Sequence, residues 1–169
     1  MRKRSTYKPK PRLANPMAYV MESVSLVSGQ TTFIRDLHIK NHLAMTALTQ
    51  GKATKKDIDL LICMHNVSEA LWRLGYGKGY EDVIKEGKHA LLEVARRGAQ
   101  SNKFVLKAGE MTTLNLLMEL HDAQMDAITI KDLDAAVAIV RRDIEAKRVT
   151  SITTRNKDTE WNQQTSPQL

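Results

Sequence analysis

Residues 54–75, TKKDIDLLICMHNVSEALWRLG, decide how the rest of the chain is read. Thr54 with Asp57 three residues on approximates a capping box, Asp standing where Glu or Gln is usual, and the acids Asp57 and Asp59 suit the positive end of a helix. Ile58, Leu61, Ile62 and His65 recur at helical spacing, with Trp72 beyond on the same face. Leu60, Met64, Val67, Leu71 and Leu74 widen that face until little is left for water, so the helix belongs at the centre of a fold. Gly75 supplies the stop.

Working outward, the residues on both sides repeat this pattern. A helix is expected over residues 33–50, with Ile34, Leu37, Ala44 and Leu48 on one stripe, Ile39, Leu43 and Ala47 on another, and Gly51 closing it. Before it, Asn15-Pro16 punctuates the chain, and residues 17–27 are ambiguous: Tyr19, Val20, Val24 and Val27 suit a short helix, while their β-branched members also suit an extended segment. After the central stretch, Gly75-Tyr-Gly77-Lys-Gly79-Tyr80 turns the chain. A third helix, residues 81–97, points Val83, Ile84, Leu91, Val94 and Ala95 inward and ends at Gly98. Gly87 in its middle costs about 1 kcal/mol relative to Ala and suggests close backbone approach by a neighbouring helix.

Residues 102–107 alternate, Phe104 and Leu106 on one side, as a short plug or bridge strand. A fourth helix over residues 110–128 carries Met111, Leu114, Leu117, Met118, His121 and Met125 at burial spacing. Thr129 and Asp132 repeat the cap of Thr54 and Asp57 and open a fifth helix to about residue 148, with the stripe Leu133, Ala136, Val137, Val140 and Ile144. Connections this short favour antiparallel neighbours. The expected fold is all-α, a compact antiparallel bundle of four to five helices over residues 16–149, preceded by a flexible arm (1–15) and followed by a polar tail (150–169) expected to be disordered.

Charge is distributed unevenly along this plan. The net charge is +7, from 26 Lys and Arg against 19 Asp and Glu. Residues 1–12, MRKRSTYKPKPR, hold six of those cations and no acid; without them the remainder has 20 basic against 19 acidic residues. Basicity is thus a property of the arm. Arg2, Lys3, Arg4, Lys8, Lys10 and Arg12, with Tyr7 among them, are what a phosphate backbone attracts through counterion release and aromatic stacking. A solubilising tail or a contact to an acidic protein uses the same composition. Cys63 is the sole cysteine; an internal disulfide is excluded, and its apolar surroundings suggest a small buried hydrophobe in a reducing compartment. With no apolar leader after the basic start and nothing approaching a membrane span, a soluble cytoplasmic protein is expected.

Glycines 75, 77 and 79 with Lys78 precede a helix, but a helix rather than a strand comes before them, the spacing fits no phosphate-binding fingerprint, and Glu81-Asp82 repel an anion; a connector is the simpler use. His38 and His42 share a helical face, the start of a zinc or iron site, and Glu86 with His89 has di-iron spacing without the repeat that such bundles need. Satisfied or exposed histidines are the default, so no metal ligand or cofactor is assigned. Asn115, Glu119, Asp122 and Asp126 form a polar row along the fourth helix: a solvated face, a cation site or a partner surface. Met111, Met118 and Met125 share a stripe that fills a core or, if exposed, binds a partner helix. No serine or cysteine sits in a nucleophile context, and Cys63 with His65 on one helix is poor geometry for base activation.

The opening Met1-Arg-Lys-Arg-Ser-Thr-Tyr7-Lys-Pro-Lys10 and the segment Met118-Glu-Leu-His-Asp-Ala-Gln124 resemble small proteins carried by bacteriophages and prophages of Gram-negative bacteria. That group has no assigned activity, so no functional residue carries over; the resemblance implies a bacterial cytoplasm and an accessory role such as regulation or interference with a host system. The expected function is a non-enzymatic accessory protein, a homo-oligomer, whose arm contacts nucleic acid or a nucleic-acid-bound complex. The alternatives are an interaction protein that modulates a bacterial host protein through Asn115, Glu119, Asp122 and Asp126, and a metal- or small-ligand-binding bundle.

Overall fold

Capping chemistry sets the helix starts in the computed structural model of the chain, which describes residues 17, 21, 24–27 and 32–148. The Thr54 N–H and hydroxyl both donate to Asp57 Oδ2, at 2.7 Å each. Thr129 bonds Asp132 in the same way, and the Asp132 N–H returns to Thr129 Oγ1 at 3.3 Å. Each cap contributes about 1 kcal/mol to the helix it opens. Five helices result: α1 (Thr32–Thr49), α2 (Lys55–Arg73), α3 (Glu81–Ser101), α4 (Ala108–Ala127) and α5 (Ile130–Glu145). Among the described residues there is no strand, only two isolated bridges. The fold is an all-α bundle.

Helix α2 is its central post. It packs on α1, α3, α4 and α5, burying Ile58, Leu61, Ile62, Met64, His65, Ser68, Ala70 and Leu71. One narrow strip of α2 stays open, and Cys63 lies on it. The thiol is exposed, not a buried hydrophobe as its neighbours suggested, because Ile62 and Met64 turn to the core on either side of it. Helix α1 likewise chooses one of its two apolar stripes. Asn41, Ala44, Met45 and Leu48 are buried at i, i+3, i+4 and i+7, whereas Ile39 and Leu43 face solvent and Leu37 stands at the edge. Met111 of α4 is exposed too, while Met118 and Met125 are buried.

Both helical glycines of α3 are explained by what fills the space beside them. A Cβ at Gly87 would lie 2.8 Å from Leu117 Cδ2 of α4; the close neighbour is therefore a side chain, not the backbone expected. A Cβ at Gly98 would lie 2.0 Å from the Phe104 ring. The helix accordingly runs through Gly98 to Ser101 rather than stopping there, and Asn102, in the left-handed region at φ 53°, caps it. Phe104 then plugs the end of the bundle and bridges to Ala53, as its alternation predicted. Arg97 ties this end to α4, donating to Glu110 Oε1 at 2.7 Å and Oε2 at 2.5 Å.

At the other end, residues 25–27 dock on the junction of α4 and α5. The Val27 N–H donates to Ile128 O, and the Ile130 N–H to Ser25 O, both at 3.0 Å. Val27 is fully buried in a second apolar cluster with Ala70, Leu71, Met125, Ile128 and Ala136. A helical bond from the Ser25 N–H to Met21 O precedes this extended bridge; Tyr19 and Val20, on which the helical reading of this stretch rested, lie outside the described residues. The turn after α2 is a connector: Gly75 and Gly77 take φ of 109° and 84°, and Gln124 Nε2 donates to Tyr76 O at 3.0 Å. No described helix is long and apolar enough to cross a membrane.

Candidate functional site

The polar groups of the bundle gather on α4 and on what flanks it. On the side facing α2, His121 is buried, and its Nδ1 lies 2.8 Å from Ser68 Oγ. Burial, the largest influence, pulls the His121 pKa down to about 4; the neighbouring Asp122 opposes that fall, and His38 and His42 add to it. The ring is thus neutral at ordinary pH. One turn on, Gln124 Nε2 donates to Ser68 O at 3.2 Å as well as to Tyr76 O. Ser68 escaped notice in the sequence. A small polar residue three places after His65, inside an otherwise apolar face, was the signal available.

On the side facing α1 the chemistry is different. His38 and His42, one turn apart on α1, both reach the Asp122 carboxylate: His38 Nε2 is 2.5 Å from Oδ1 and His42 Nε2 is 3.0 Å from Oδ2. The ring centroids of the two histidines are 5.4 Å apart, and that of His121 is 6.1 Å from His38. The cluster is open. Side-chain exposure is 32% for His38, 53% for His42 and 30% for Asp122. Both imidazoles present the same nitrogen to one carboxylate because i and i+4 lie on one helical face. Asn41, between them in sequence, is buried with its Oδ1 unpartnered among the described residues.

The sequence row Asn115, Glu119, Asp122 and Asp126 is thereby divided. Asn115, Glu119 and Asp126 are exposed, as a solvated face requires, while Asp122 is half-buried against α1. Glu86 and His89 on α3 are exposed and do not join a third ligand: among the described residues, only His38, His42 and Asp122 bring three potential ligand atoms within 4.8 Å of one another. His65 is buried and 2.9 Å from Ile84 O through Nε2; burial, outweighing the other influences, lowers its pKa. The Cys63 thiol is pushed up by partial burial and by Asp59, which favours its protonated form.

Two other places were open to a ligand. A cavity of about 340 Å³ beside Phe104 is lined by Ala53, Thr54, Lys55, Gly98, Ala99 and Asn102, and Lys55, the charged group there, is paired with Asp59 at 2.9 Å. Around Arg73, Glu69 and Asp143 form an ion-pair network that clips α5 to α2 at 2.6 and 2.7 Å. The second is structural in character. The seven arm residues Arg2, Lys3, Arg4, Tyr7, Lys8, Lys10 and Arg12 lie outside the described residues, as do the tail residues from 149 onward.

Neither a protein-family model, nor a curated protein sequence, nor a solved structure matches this chain.

Proposed function

We propose that the protein is a non-enzymatic, phage-type accessory protein in which the helical bundle is a platform and the basic arm contacts nucleic acid or a nucleic-acid-bound complex. The observation that carries this reading is the confinement of charge: six cations and no acid in residues 1–12, against a remainder that is nearly neutral. In the bundle, Lys55, Arg73, Lys85, Arg96, Arg97 and Arg148 are each paired with a carboxylate. In this reading the arm supplies the affinity for a polyanion, and Tyr7 stacks on a base.

The test keeps the chain whole. Binding of the wild type to duplex and single-stranded DNA and RNA is followed across a salt series, beside a variant with Arg2, Lys3, Arg4, Lys8, Lys10 and Arg12 all changed to Gln. Each phosphate contact adds about 0.9 to the slope of log K against log salt on duplex DNA, so the wild type should show a slope of about −3 to −5 and the variant a slope near zero. Equal binding by both chains, or binding by neither, would exclude the arm.

One observation favours a second reading, an interaction protein that modulates a bacterial host protein. Helix α4 exposes Asn115, Glu119 and Asp126 beside the large apolar Met111 and Leu116, a mixture suited to a protein partner. A partner captured from nuclease-treated bacterial lysate and lost on Glu119→Lys would support it over the first. Self-association through Ile39 and Leu43 of α1 or Met111 and Leu116 of α4 belongs to the same surface chemistry.

A further inference from the structure

We propose that His38 Nε2, His42 Nε2 and a carboxylate oxygen of Asp122 form a binding site for one first-row divalent transition-metal ion, with zinc the ion of choice, that joins α1 to α4.

The first support is convergence. His38 and His42 are fixed on one face of α1 by their i, i+4 spacing, and Asp122 comes from a helix some eighty residues later, yet the three potential ligand atoms lie within 4.8 Å of one another. Zinc binds imidazole nitrogen and carboxylate oxygen at about 2.0–2.2 Å. Three such atoms around one ion stand roughly 3–3.5 Å apart, close to the present separations of 2.5 Å from His38 Nε2 to Asp122 Oδ1 and 3.0 Å from His42 Nε2 to Oδ2.

The donor set then selects the ion. Two imidazoles and one carboxylate suit zinc and its neighbours, whereas calcium and magnesium require oxygen-rich cages. Three protein ligands leave at least one coordination position for water or an incoming group, and the exposure of His42 at 53% gives the ion a way in.

The supporting structure holds the ligands in place. Both helices pack on the central α2, and the buried His121 stands behind His38, its Nδ1 within hydrogen-bond reach of Ser68. Two imidazoles on a single carboxylate form the metal-free counterpart of the site. Each Nε2 donates its proton to Asp122; on metal binding that proton leaves Nε2, either to solvent or, by way of solvent, to Nδ1 of the same ring, and the freed lone pair coordinates the ion. The inference is independent of the basic arm and stands or falls apart from it.

The experiment uses the full chain purified without a histidine tag and stripped with chelator. Zinc is titrated by calorimetry and cobalt by its visible absorption, for the wild type and for His38→Ala, His42→Ala, Asp122→Asn and the control His89→Ala, an exposed histidine of α3. Expected for the wild type and His89→Ala are one ion per chain, cobalt bands of imidazole coordination, and a Tm that rises with added zinc. His42→Ala should lose about tenfold or more in affinity, with loss of the Tm rise at matched zinc. Because His42 is the most exposed of the three, its variant remains folded and keeps the test decisive if Asp122→Asn does not fold. The proposal is overturned if the wild type takes up no stoichiometric zinc, or if His38→Ala and His42→Ala both bind as the wild type does, or if His89→Ala loses binding equally.

Discussion

His121 and Asp122 are neighbours in sequence and opposites in environment. His121 points into the seam between α4 and α2, where it is neutral, buried and within hydrogen-bond reach of Ser68. Asp122 points into the seam between α4 and α1, where two part-exposed histidines meet it. A rotation of about 100° around one helix separates a closed seam from an open one. The closed side of α4 continues onto α3 by apolar contact, with Leu117 fully buried and packed against Gly87. The open seam is held by charge and hydrogen bonding at the surface, which contribute little to stability and leave the side chains accessible for binding. Stability and accessible chemistry are thus assigned to different faces of the same helix.

The largest effect should come from breaking the closed side. Leu117→Ala leaves a cavity between α4 and Gly87 that the rigid helices cannot refill, and should cost about 2–5 kcal/mol by urea denaturation. A smaller effect sharpens the contrast between buried and open histidines. The His65 pKa is lowered chiefly by burial, with Glu69 and Lys88 as the charges around it. The unfolded chain therefore takes up the proton first, as pH falls through the ordinary value of about 6.5. Stability should be constant above that pH and decline below it, by up to about 1.4 kcal/mol per unit for this group, until the folded-state pKa is reached. His65→Gln should make the slope of unfolding free energy between pH 6.5 and 5 shallower; an unchanged slope would assign the acid sensitivity elsewhere. The smallest effect belongs to the open side. In the absence of metal, His42→Ala should change stability by about 1 kcal/mol or less, and a loss as large as that of Leu117→Ala would erase the distinction between the seams.

Much of the fold was legible because its signals are local. Thr54–Asp57 and Thr129–Asp132 declare helix starts through contacts between residues three apart, and the near-continuous apolar face of residues 58–74 identified the post of the bundle. The same locality explains what was misread. Gly98 looks like a helix stop until Phe104 is placed on it, and Cys63 looks buried until the one uncovered strip of α2 is known. On α1 two apolar stripes compete, and nothing within the helix says that Asn41, Ala44, Met45 and Leu48 turn inward and leave Ile39 and Leu43 outside.

The candidate site shows the division most clearly. By itself the amino-acid sequence determined that the chain is helical, where each helix begins, that its basicity is confined to residues 1–12, and that His38 and His42 share one face while Asp122 belongs to a polar row on another helix. These follow from bond geometry and from spacings of three and four residues. That the two histidines of α1 close on Asp122 of α4 while His121 turns away to Ser68 was decided by tertiary structure alone. Which apolar face packs against which depends on how side-chain volumes fit across the whole core, a property of all five helices together and of no one stretch.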